Sequence, residues 1–69
     1  MYKVEINNGI AILGFLCNGQ AKRNPKWYSH PSAVRRAIKS YATKHPDHKF
    51  RVFKLLPHDV IQPFELTIE

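Results

Sequence analysis

Only one stretch of this 69-residue chain repeats its apolar residues at the period of a helix, and the rest must be built around it. Val34, Ala37, Ile38, Tyr41 and His45 follow the i, i+3, i+4, i+7 spacing of a buried stripe, with Ala33 and Ala42 beside it. Arg35, Arg36, Lys39, Ser40 and Thr43 take the other side. Ser29 or Ser32 is the expected N-cap, Pro31 suits the first turn, and Pro46 ends the helix. The spacing therefore predicts a helix over 29–45. A lone amphipathic helix has nothing of its own to bury that stripe against, so it requires a sheet.

The flanking segments supply one. Tyr2, Val4 and Ile6 alternate with Lys3 and Glu5 at the period of a strand. Asn8-Gly9 suits a two-residue type I′ turn, in which both positions take positive φ. Such a turn sets Val4 opposite Leu13 and Tyr2 opposite Phe15. It gathers Tyr2, Val4, Ile6, Ala11, Leu13, Phe15 and Cys17 on one face and leaves Ile10, Ile12 and Leu16 on the other. The second face is then apolar enough to call for a cover, either a partner subunit or the C-terminal segment. Residues 18–29 read as a loop, with Asn18-Gly19, Asn24-Pro25 and three cations. Lys49 to Leu56 reads as a strand of undecided parity. Phe50 and Val52 favour one face and Phe53 and Leu55 the other, so a bulge or burial on both sides is expected. Pro57-His58-Asp59 is a turn, and Phe64, Leu66 and Ile68 alternate with Glu65, Thr67 and Glu69 as a last strand. The expectation is one α+β domain over 1–69, in β-β-α-β-β order. An antiparallel or mixed sheet of three or four strands would carry the helix on one face. Its open edge, or the Ile10/Ile12/Leu16 face, offers a homodimer seam.

Several function classes find no support. The longest apolar run, Ile10 to Cys17 broken by Gly14, is well short of the roughly 20 residues that span a bilayer. Lys3, Glu5, Asn7 and Asn8 do not make a secretory signal, and one cysteine forms no intrachain disulfide. A cytoplasmic protein with no membrane contact is the default expectation. Glycines 9, 14 and 19 sit singly, so no phosphate-binding loop is present. Cys17 has the parity of a small core residue rather than a nucleophile. His45 and His48 straddle Pro46, and with His30 and His58 they lack the cysteine pairs of a structural zinc site. The expectation is a binding protein without catalysis, cofactor or metal.

Charge points to the partner. The formal net charge is +6, and ten of the eleven Lys and Arg residues lie between Gln20 and Lys54, with Asp47 the only acid among them. If these cations share a flank, they attract a polyanion, nucleic acid first. Lys22, Arg23 and Lys26 of the loop and Arg35, Arg36 and Lys39 of the helix are the expected phosphate contacts. Trp27 is placed to stack on a base, while at least one of Trp27 and Tyr28 is expected to cap the core. Without a base-reading motif, binding should be driven by the phosphate backbone.

The run Lys26-Trp27-Tyr28-Ser29-His30-Pro31-Ser32-Ala33-Val34-Arg35-Arg36-Ala37-Ile38-Lys39 resembles a phrase in small phage-encoded accessory proteins. In these, an aromatic-Ser cap leads into a helix with spaced alanines. The likeness covers about a fifth of the chain and carries no active-site residues. It implies a DNA-associated or host-takeover protein of the host cytoplasm. Such a protein acts by binding, for instance by attaching to an acidic host protein and inhibiting it.

Overall fold

The computed structural model describes residues 1–66. Strands β1 (Tyr2–Asn7), β2 (Ile12–Cys17) and β3 (Gln20–Lys22) precede helix α1 (Pro31–Lys44), and β4 (Lys49–Leu56) and β5 (Val60–Phe64) follow it. They form one five-stranded sheet in the order β3-β2-β1-β4-β5, with every neighbouring pair antiparallel. The α+β class and the two layers match the expectation, with β3 as an added strand.

The core forms where the two periodicities meet. Tyr2, Val4 and Ile6 project from the central strand β1 towards α1, whose Val34, Ile38 and Tyr41 are buried against the sheet. Leu16, Tyr28 and Val52 complete the cluster. Each such side chain stabilises the fold by about 1.5–3 kcal/mol through removal from water. The helix starts at Pro31 with His30 as the flanking residue and no side-chain cap, so neither Ser29 nor Ser32 caps it.

The first hairpin departs from the expected register. Gly9 takes a φ of +90°, but Asn8 is not in the positive-φ region that a type I′ turn requires. Instead the Asn8 side-chain oxygen accepts the amides of Ile10 and Ala11, both at 2.9 Å, and Asn7 accepts that of Gly9 at 3.0 Å. These local bonds favour a wider loop. Glu5 then lies opposite Phe15 and Ile6 opposite Gly14, with an irregularity beside Asn7. This odd-numbered slip turns β2 over. Leu16 is fully buried in the core, and Phe15 and Cys17 move to the opposite face. The expected Ile10/Ile12/Leu16 seam therefore does not form, although Ile10 and Ile12 remain exposed.

The two-residue turn occurs one hairpin later, at Asn18 (φ 50°) and Gly19 (φ 79°). It makes β3 from a stretch that reads as a loop, pairing Cys17 with Gln20 and Phe15 with Lys22. Gly14 makes room for that strand, since a Cβ there would lie 2.6 Å from the Lys22 carbonyl oxygen. Strand β4 pairs with both neighbours without a bulge, so its two apolar parities serve two faces. The last strand also comes earlier than expected, ending at Phe64, whose ring lies 5.0 Å from that of Tyr2. Of the terminal strand anticipated over 64–69, Glu65 and Leu66 are not in a strand, and residues 67–69 lie outside the described residues. Both sheet edges are blunted, β3 by its three-residue length and β5 by Pro63, which disfavours a homodimer through them.

The register makes a direct prediction. Leu16→Ala should cost about 2–5 kcal/mol in urea unfolding, and Phe15→Ala clearly less. The reverse order would restore the two-residue turn at Asn8-Gly9. Gly14→Ala should also destabilise, by more than about 1 kcal/mol, because the Lys22 backbone stands in the way.

Candidate nucleic-acid interface

Helix α1 covers one side of the sheet, and no element among the described residues covers the other. Side chains alternate across a strand, so Lys3 and Glu5 of β1 project to this second side while Tyr2, Val4 and Ile6 fill the core. A row of direct partners crosses it: Lys22 beside Phe15, Phe15 beside Glu5, and Glu5 beside Arg51. Next to that row, Lys3 lies opposite Phe53. Trp27 joins from the connection before the helix. The Tyr2 and Tyr28 backbones exchange hydrogen bonds of 2.8 and 2.7 Å. That bridge turns Tyr28 into the core and Trp27 to the uncovered side.

The outcome is an ammonium surrounded by rings. Lys3 Nζ lies 4.9 Å from the ring centre of Phe15, 5.5 Å from that of Trp27 and 5.8 Å from that of Phe53. Each contact is within the reach of a cation–π attraction, worth about 0.5–1 kcal/mol at an exposed site. The Arg51 guanidinium lies 5.6 Å from the Phe53 ring and 4.0 Å from the Glu5 carboxylate. Lys49, opposite Asn7, is the fourth cation on this side. Lys3, Lys22, Lys49 and Arg51 thus share the face with a single strand carboxylate, Glu5.

The seven residues anticipated from the sequence do not form one surface. Lys22 and Trp27 belong to the uncovered sheet face. Arg35, Arg36 and Lys39 are exposed on the outer side of α1, across the thickness of the molecule. Lys26 donates to the Asn18 side-chain oxygen at 3.0 Å and lies 5.3 Å over the Tyr28 ring, and Arg23 is exposed just after β3. The shared flank expected for the cations is therefore divided in two. The reason is strand parity, which sends Lys22, Lys49 and Arg51 away from the helix. Tyr28 takes the core-capping role and Trp27 stays outside, as one of the two was expected to do. Lys3, Phe15, Phe53 and Arg51 are the site residues that sequence reasoning missed. The double parity of β4 was the available signal.

A second cluster closes the helix end. The Tyr41 hydroxyl and His48 Nδ1 are 2.8 Å apart, and the His45 and His48 rings stack in parallel at 4.9 Å. Phe50 meets Tyr41 edge-on at 5.7 Å. Among the described residues no three His, Cys, Asp or Glu side chains group as metal ligands. Cys17 is free and half-buried, on the uncovered face rather than in the core. No helix among the described residues is long and apolar enough to cross a membrane.

Burial pushes the Tyr41 phenol above its ordinary value of 10.0. Tyr28 is raised as well, by burial first and then by the negative charge of an ionised Cys17. A group that keeps its proton longer when folded contributes stability that is complete below the unfolded value and is lost as pH rises through the folded one. The stability these two phenols contribute should therefore begin to fall above about pH 10. Tyr41→Phe should lose about 0.5–1.5 kcal/mol at pH 7 with the His48 contact. Above about pH 10 its stability should decline less steeply than that of the wild type, and equal slopes by circular dichroism would contradict this assignment. Comparison of the chain with protein-family models, with curated proteins and with solved structures finds no match.

Proposed function

We propose that this protein is a small, basic, non-enzymatic binding module for nucleic acid. One observation carries the reading. Among the described residues, Arg51 is the only Lys or Arg with a carboxylate within 4.0 Å. At 4.0 Å that contact is a long one, and the other described lysines and arginines have no such partner, which leaves them open to an external anion. Arg35 and Lys39 lie one helical turn apart as like charges, a repulsion of a few tenths of a kcal/mol that a phosphate relieves. Lys22, on the uncovered sheet face, and Arg23 and Lys26 of the connection before the helix supply further cations away from these. Backbone contacts of this kind release counterions. Fluorescence anisotropy on a short DNA duplex should give a log–log salt slope of about −4 to −5 for the four to six phosphates engaged. Arg35→Gln, Arg36→Gln and Lys39→Gln should each make it shallower by about 1. A flat salt response, or no binding of either duplex or single-stranded nucleic acid at low salt, overturns the proposal.

A second reading rests on the exposed apolar residues beside the first loop. Ile10 is 95% exposed, Ile12 64% and Leu13 40%. A phage-type accessory protein docking on an acidic host protein would use them as a contact core. It predicts a stoichiometric protein partner that survives nuclease treatment and is lost in Ile10→Asp and Ile12→Asp. A partner that disappears with nuclease counts against it.

A further inference from the structure

We propose that the uncovered sheet face is a stacking platform for single-stranded nucleic acid, on which Phe15, Trp27 and Phe53 receive bases and Lys3, Lys22 and Arg51 receive phosphates. The proposal rests on the nucleic-acid reading above and deepens it by naming the surface and the form of the ligand. Three half-buried rings lie within 5.8 Å of one ammonium, on strands that hold them in register. Among the described residues Lys3 has no carboxylate within 4.0 Å, so its ammonium is open to an anion from outside.

The chemistry selects the occupant. Flat apolar rings interleaved with cations match a ligand that alternates π-faces with negative charges, as a polynucleotide strand does. In a duplex the bases stack on one another, and their faces are closed to the rings. The rings here lie on a sheet surface rather than on a helix or ribbon that could enter a groove. A single strand offers its base faces freely. Self-association through this face is opposed by charge, because a two-fold contact would set Lys3, Lys22, Lys49 and Arg51 against their own copies.

Trp27 is the only tryptophan, so its emission reports on the platform directly. The test titrates the intact protein with a 15-mer oligothymidylate and with a duplex of equal length. The single strand should bind more tightly and quench Trp27. Phe15→Leu and Phe53→Leu keep apolar volume, so circular dichroism should stay native while affinity for the single strand falls about 5- to 100-fold. Lys3→Gln should lower the salt slope by about 1. Unchanged Trp27 emission, with full affinity in both leucine variants and binding lost in Arg35→Gln/Arg36→Gln/Lys39→Gln, overturns the platform and leaves the nucleic-acid reading standing. Displacement of the oligonucleotide by poly-glutamate at equal charge also overturns it, because the site would then respond to charge alone. If neither nucleic acid binds at low salt, both proposals fall.

Discussion

One helix can cover one face of a sheet, and that limit governs the whole molecule. Strand β1 sits in the middle of five strands and sends Val4 and Ile6, with no exposed surface, under α1. What β1 sends the other way has no second layer to meet. Ordinary sheets resolve this with a polar outer face. Here the outer face carries Phe15, Trp27 and Phe53 around the Lys3 ammonium, which lies over all three rings. The thin core and the aromatic outer face thus have a common cause, the lack of a second covering element.

Much of what depends on near neighbours could be read in the sequence. The helix stripe, its stop at Pro46, and the whole extent of β4 follow from spacings of a few residues. The parity of β2 could not be read this way. Leu13, Phe15 and Cys17 on one side compete with Ile12 and Leu16 on the other, and both sets are apolar. Two Asn-Gly pairs compete for the tight turn as well. The choice is made by the Asn8 side chain, which holds the Ile10 and Ala11 amides, and by the fit of Gly14 against the Lys22 backbone. The second of these contacts exists only once the strands are together.

The same blindness affected the site. Counting charge along the chain finds Lys22 but passes over Lys3, an isolated cation near the start. Lys3 reaches Phe53 only through pairing of the first strand with the fourth. The molecule is 19 Å across its shortest axis, and charges screen over about 10 Å in ordinary salt. A ligand on the sheet therefore feels the sheet's cations far more than those of α1. Dividing the charge between two sides turns one diffuse field into two local ones.

The place of β1 in the sheet also bears on how the chain comes together during synthesis. Tyr2 is hydrogen-bonded to Tyr28 on one side and paired with Lys54 on the other. Strand β1 therefore has one flank satisfied only when residues as distant in sequence as Lys54 are in place. Closing so long a span costs entropy before any of that pairing is gained. Strand β1 therefore stays open along that flank until β4 is present, and the five-stranded sheet closes late, close to all at once.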